Sequence, residues 1–305
     1  MNRIVIGSRG SLLARWQAGH VATALRRAHP GLEVEEKIIV TEGDRLTSGP
    51  LWNAGGKGVW VKEIEAALLA GEIDLAVHSM KDVPSELLAG LALVAVPARA
   101  DVRDAVVSRA GAGLDDLPRS ARVGTTSLRR ACQLKALRPD LAIEILRGNL
   151  DTRLRKVADG VVDAAILASA GLDRLGFAER ITERLPIERM LPAVGQGALA
   201  IEARSDDARI SGLCRVLDDA EAASAVAAER AFLGRLGASC RTPVAGYAHI
   251  EDGTLTMLGL VGRPDGSEII SDRTSGSVAD APSLGIALAD ALLHRGAGAI
   301  LLASA

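Results

Sequence analysis

The chain has 305 residues, 48% of them apolar and 2% aromatic, with 36 basic and 38 acidic side chains and a formal net charge of −2. That length supports two or three domains around a large core, while the balanced charge and the scarcity of Trp, Phe and Tyr exclude a basic footprint or stacking platform for nucleic acid. No apolar run approaches the length of a membrane span, and MNRIVIGSRG at the start reads as a strand and polar turn rather than a secretory signal. The expectation is a cytoplasmic protein that needs neither membrane nor nucleic acid, with a low net charge compatible with a monomer.

In chain order, RIVIG (3–7) reads as a strand, SLLARWQAGHVATALRRA (11–28) as an amphipathic helix and LEVEEKIIV (32–40) as a strand. After a Gly-rich loop, VWVKEIEAALLAGE is helical and IDLAVHS is again a strand. A second alternating set begins near Asp101: AVVS, RVGTTS into the helix SLRRACQLKAL, AIEIL, the helix NLDTRLRKVADG and the strand DAAILAS, closing around Leu191. PAVGQGALAIEAR (192–204) then looks like a connector into a strand that returns to the first sheet. Alternating strands and helices imply parallel α/β sheets, and two such lobes joined by more than one crossing form a hinged cleft. The last third changes character, with a long helix (AEAASAVAAERAFLGRLG), the strand-like PVAGYAHI, LTMLGLVG and SEIISDRTSG, and a helix over 282–295, which together predict an α+β domain on an antiparallel sheet. The expected division is 1–98 with 195–218, then 99–194, then 219–305.

Three strand-to-helix junctions share one chemistry. GSRGS places Ser11 to cap a helix beside Arg9; GTTSLRR places Thr125, Thr126 and Ser127 before a helix with Arg129 and Arg130 in its first turn; LRGN places Arg147 and Asn149 at a helix start with Arg153 a turn later. A hydroxyl at an N-cap is ordinary helix chemistry. Arginine in the first turn is not, because the helix dipole favours acids there, so an anion near these ends resolves the conflict. Thirty of the 36 basic residues are arginine, a bias that a GC-rich genome explains, so only these placements carry weight. The inferred ligand bears several negative charges.

The loop 41–60, TEGDRLTSGPLWNAGGKGVW, is long enough to be a lid. Its GGKG lacks the spacing and the Ser or Thr of a phosphate loop, which disfavours a nucleotide site. Cys240 lies in GASCRTPVAGY beside Arg241, where positive charge favours the thiolate, whereas Cys132 and Cys214 fall within helical patterns. The five histidines show no metal-ligand spacing, and no metal is expected. Lys81 and Asp82 end an apolar strand in IDLAVHSMKDVP, at a position where open α/β sheets bind ligands. On these features alone, a hinged, non-catalytic protein that binds a multivalent organic anion remains open, although it leaves Cys240 and Asp82 without a task.

Taken together, Arg9, Ser11, Leu13, Ala14 and Gln17, then TEGD, GGKG, AVHSMKDVP, GTTSLRR, LRGNLDTRL, ILASAGLDRLG, VGQGALAIE and the Cys240 segment, closely resemble the porphobilinogen deaminase family of tetrapyrrole biosynthesis in order and over nearly the whole chain. One departure is Trp60, where the family usually carries phenylalanine; an aromatic wall is kept, with consequences for how the lid closes. The resemblance implies two hinged domains like a periplasmic binding protein and a third α+β domain. It also implies a dipyrromethane cofactor bound through a thioether to Cys240. On that cofactor four porphobilinogen units would be joined, with release of four ammonia molecules and of hydroxymethylbilane. By the same resemblance Asp82 is the catalytic carboxylate against the pyrrole N–H. Lys81, Arg9, Arg129, Arg130, Arg147 and Arg153, with Ser11, Thr125 and Ser127, hold cofactor and substrate carboxylates, and Trp60 lines the substrate site.

Overall fold

The structure, a computed structural model, describes residues 3–45, 59–237 and 242–304. The chain opens with β1 (Arg3–Ser8), α1 (Leu12–Ala28), β2 (Glu33–Ile38), the single turn α2 (Glu42–Arg45), α3 (Lys62–Leu69), β3 (Leu75–Ser79) and β4 (Leu91–Ala95). A second set follows: β5 (Asp104–Ser108), β6 (Arg122–Gly124), α4 (Leu128–Leu137), β7 (Ala142–Glu144), α5 (Leu150–Ala158), β8 (Ala164–Ala168), α6 (Ser169–Arg174) and β9 (Glu183–Arg184). β10 (Leu199–Arg204) and α7 (Ala208–Cys214) come next, then α8 (Ala220–Arg235), β11 (Val244–Glu251), β12 (Thr254–Gly262), β13 (Ile269–Ser277), α9 (Ala281–Leu292) and α10 (Gly298–Ser304).

Two five-stranded sheets, ordered β2-β1-β3-β10-β4 and β7-β6-β8-β5-β9, accompany a three-stranded antiparallel sheet β11-β12-β13. In the first sheet β1 pairs in parallel with β2 and β3, and β10 runs antiparallel to β3 and β4. The second repeats this plan, with β6 parallel to β7 and β8, and β5 antiparallel to β8 and β9. By contacts the chain divides into two compact units, one holding the first sheet with Ala198–Ala223, the other holding Asp101–Gly197 and the residues from Ser224 onward.

Helix α1 forms because apolar residues recur at helical spacing: Ala14, Ala18, Val21, Ala22 and Leu25 make a buried stripe. That stripe packs on Ile4, Ile6, Leu75 and Val77 from the sheet. On the other face, Ile64 and Leu68 of α3 meet Ala76 and Leu91. The antiparallel sheet is covered by α8 and α9, and its register pairs Gly246 with Gly259. A Cβ on Gly259 would sit 2.8 Å from the Phe232 ring and one on Gly246 would sit 3.2 Å from it, so the two glycines form the slot that receives this fully buried side chain.

The sequence pattern shows no strand at Leu91–Ala95 and no last helix, and it contains no run of membrane-span length. The structure adds β4, the all-apolar LALVA, as an antiparallel neighbour of β10, with a register shift between Ile201 and Glu202. At the end of the chain, Val278–Ala303 joins several helical pieces into one path long and apolar enough to cross a membrane by length and composition. Gly296, at φ 98°, kinks it in a conformation that disfavours other residues. Ala281, Leu288, Leu292, Ala297 and Ile300 bury one face of it in the core beside Phe232, and 28% of its most apolar window is buried. The lid expectation falls mostly on residues 46–58, outside the described residues.

Replacing Phe232 with alanine empties the slot between the glycines and is expected to cost about 3–5 kcal/mol, read as a lower urea midpoint with an unchanged slope.

Candidate active site

Because β1 and β3 are parallel neighbours, with Ile6 opposite Leu75 and Gly7 opposite Ala76, their carboxyl ends open at one edge of the sheet. β1 runs out into Arg9 and into Ser11, the N-cap of α1, whose side chain accepts a hydrogen bond from Ala14 N at 3.3 Å. β3 runs out into the tight turn Met80–Asp82, pinned where Met80 N donates to Ala198 O at 3.0 Å and Val83 N donates to Met80 O at 3.1 Å. Met80 and Val83 are buried, so Lys81 and Asp82 between them are left half-exposed. Gln17 ties the two junctions together, its Nε2 donating to Ser79 Oγ at 2.8 Å.

A pocket results, lined by Arg9, Ser11, Gln17, Trp60, His78 and Asp82 among others. Arg9 is held by Asp44, with Nε donating to Oδ1 at 3.1 Å, and its guanidinium lies 4.0 Å from the centre of the Trp60 ring. Such a cation–π contact is worth about 0.5–1 kcal/mol. Burial alone would raise the Asp44 carboxyl, but Arg9 and hydrogen bonds from Thr41 outweigh it and keep Asp44 below the usual carboxylate range. Asp82 contrasts with Asp44: its carboxylate makes no hydrogen bond or ion pair with the described residues.

In the second unit Ser127 caps α4, accepting from Arg130 N at 3.4 Å, while Thr125 Oγ1 accepts from Ser127 N at 3.1 Å. Arg129 and Arg130 in the first turn of α4 are buried and turn onto Asp104, at 2.8 and 2.7 Å. Asp104 begins β5 and, because β5 is antiparallel to β8, lies opposite Ala168 at the edge where β8 ends. Gln196 Nε2 adds a hydrogen bond to Asp104 Oδ1 at 2.9 Å, and the arginines also donate to Leu191 O and Ile166 O. An internal carboxylate is therefore the anion that these two arginines meet. Burial pushes the Asp104 carboxyl up, but Arg129 and Arg130 and the hydrogen bonds from Arg130 and Gln196 hold it far below the usual range.

Arg147 and Arg153 flank the start of α5, both half-buried; Arg153 Nε donates to Gly148 O at 2.8 Å, and Asn149 stands at the N-cap without a side-chain bond to the helix. Cys240 lies outside the described residues. Cys132 and Cys214 are fully buried, and burial pushes their thiols up to about 11 and about 12, the range of inert core cysteines. Among the described residues, no group of three metal-ligating side chains occurs.

A family model described as porphobilinogen deaminase, dipyromethane cofactor binding domain, matches residues 4–212, and that of the porphobilinogen deaminase C-terminal domain matches residues 223–294. The chain belongs to the porphobilinogen deaminase family. It is 50% identical over 296 residues to the porphobilinogen deaminase of Geobacter metallireducens, covering 97% of this chain and 93% of the relative. Over 298 residues it is 50% identical to that of Syntrophobacter fumaroxidans, covering 98% and 96%. Two solved structures are more distant. An arginine-specific periplasmic binding protein of Salmonella typhimurium gives a TM-score of 0.42 at 13% identity, covering 70% of this chain and 91% of that one. A polar amino acid uptake transporter's binding protein from Streptococcus thermophilus gives 0.41 at 14%, covering 77% and 82%.

The family's dipyrromethane offers pyrrole N–H donors and carboxylates, and the side chains present suit both. Asp82 supplies an unengaged acceptor, Arg9 and Ser11 supply donors beside it, and Arg129 Nε is a buried donor without a hydrogen-bond partner. Sequence reading missed Asp44 and Asp104, each an internal carboxylate that holds arginines in place.

Asp104→Asn leaves two buried guanidinium groups without their counter-charge and is expected to lower stability at pH 7 by about 3–5 kcal/mol. Because the folded carboxyl is depressed, its contribution is fully present above the ordinary carboxylate value of about 3.9 and fades as pH falls below it. Denaturant titrations of both proteins should therefore converge as the pH is lowered below about 4.

Proposed function

We infer that this chain is a hydroxymethylbilane synthase, a transferase that joins four porphobilinogen molecules head to tail, releases ammonia at each addition and delivers the linear tetrapyrrole to porphyrin biosynthesis. Family membership over almost the full length supports the reaction class. Within the structure, the carrying observation is Asp82, an unengaged carboxylate fixed between two buried residues at a strand end beside Arg9 and Ser11.

When bound, the dipyrromethane supplies the carbon nucleophile for the first addition. Asp82 is the catalytic carboxylate in this reading. As the amino group of porphobilinogen leaves as ammonia, positive charge develops on the pyrrole and its retained methylene, and a carboxylate already fixed against the pyrrole N–H stabilises that charge without reorganising. Arg9, held by Asp44 against Trp60, and Ser11 receive substrate carboxylates, and Trp60 walls the substrate site. Lys81, Thr125, Ser127, Arg129, Arg130, Arg147 and Arg153 supply donors and positive charge for the remaining carboxylates. Arg129 and Arg130 are fixed in position through Asp104.

Cys240 is the proposed point of thioether attachment, supported by the inert state of the two described cysteines. The same reading divides the chain into three domains, with the last beginning near Asp219, close to where the C-terminal family model starts. It also takes the protein as a cytoplasmic monomer, in keeping with buried cysteines left as free thiols.

Asp82→Asn keeps the shape and removes the charge. It should retain the covalent cofactor by intact mass while turnover of porphobilinogen in a single-addition assay falls roughly 10²–10³-fold; near-normal turnover would contradict the role given to Asp82.

A further inference from the structure

A buried polar cluster beside the pocket has no role in the reaction as described so far. Residues 76 and 78 of β3 share one face, and the antiparallel register sets Ala76 against Glu202 and His78 against Ala200. The two polar side chains therefore meet diagonally, with His78 Nε2 3.0 Å from Glu202 Oε2 and side-chain exposures of 4% and 1%. Glu65, from the helix α3 that covers this face, is also buried. Burial pushes its carboxyl up, Glu202 adds to that, and His78 opposes it. Glu202 Oε1 is left without a hydrogen-bond partner.

Burying carboxylates beside the apolar residues Ile64 and Leu68 is costly, and one partly satisfied contact is weak compensation. The geometry suits chemistry better than stability. Facing a carboxylate, the imidazole carries its proton on Nε2 and donates it to Glu202, which leaves the lone pair on Nδ1. His78 lines the pocket together with Asp82, and Nδ1 makes no hydrogen bond with the described residues.

We propose that His78 is the proton acceptor of this pocket, with Nδ1 as the accepting atom, and that Glu202 is the positioning residue that fixes its tautomer. The inference rests on the proposed reaction. In each addition to a substrate-derived ring, a carbon–nitrogen bond of porphobilinogen breaks and a carbon–carbon bond forms. The C–H bond at the attacking pyrrole carbon breaks, its electron pair returns to the ring, and Nδ1 takes the proton. That proton leaves with the departing ammonia as ammonium, restoring neutral His78. The groups bearing on His78 are Glu202 from β10 and Glu65 from α3, and Arg9 from the β1–α1 junction and Asp82 from the turn after β3 share its pocket.

The test uses holoenzyme labelled with ¹⁵N-histidine, its five imidazole signals assigned by substituting His20, His29, His249 and His294 in turn. His78 should show the Nε2–H tautomer at neutral pH; an Nδ1–H tautomer overturns the proposal. Steady-state pH profiles follow, with intact mass confirming the cofactor in each variant. His78→Gln should lower kcat about 10²-fold, leave KM within threefold and abolish the acidic limb of the wild-type profile; kcat within threefold of wild type with the limb intact overturns the proposal. Glu202→Gln should lower kcat and shift the acidic limb to lower pH, and it decides the matter alone if His78→Gln does not fold, an unmoved limb counting against the proposal. Wild type that turns over no porphobilinogen refutes the proposed reaction itself, whereas active wild type with an unaffected His78→Gln refutes only this inference.

Discussion

In both five-stranded sheets the fourth strand runs antiparallel to the third, so the residue that begins it lies at the edge where the parallel strands end. That constraint brings a residue distant in sequence against the starts of helices. In the second unit it delivers Asp104 to Arg129 and Arg130; in the first it sets β10 along β3, so that Glu202 reaches His78. The opening edge of each sheet is thus built from segments that meet only when the antiparallel strand docks.

Electrostatic preorganisation follows from this arrangement. Arginines that are to receive anions need fixed positions, and a long flexible side chain loses rotamer freedom when it binds. Asp44 holds Arg9 over Trp60, and Asp104 holds Arg129 and Arg130 in a buried triad. Asp82, between the buried Met80 and Val83, is placed by the backbone of its turn, and its carboxyl makes no hydrogen bond or ion pair with the described residues. Catalysis by a positioned anion requires that combination of rigid support and an uncommitted carboxylate.

Local signals made part of this legible. The alternation of strands and helices, the caps Ser11 and Ser127, the strand end at Asp82 and the return of Leu199–Arg204 to the first sheet are all carried by nearby residues. The partners were not. Asp104 is 26 residues from Arg130, and Glu202 is 124 residues from His78, and only sheet register joins them. At the start of α4 the arginines that run against the dipole meet Asp104, and the sequence could not distinguish a ligand carboxylate from one supplied by the chain. β4 was missed because its five residues, LALVA, are all apolar and show no alternation, and the final helix because Gly296 breaks the pattern.

Cys240 carries the central claim that the chain builds its product on a cofactor bound to itself. An intact-protein mass spectrum of purified wild type beside Cys240→Ser tests it most directly. The account predicts a covalent excess of two linked pyrroles in wild type and the bare polypeptide mass in Cys240→Ser. Wild type that shows only the bare mass, and stays bare after incubation with porphobilinogen, would contradict it.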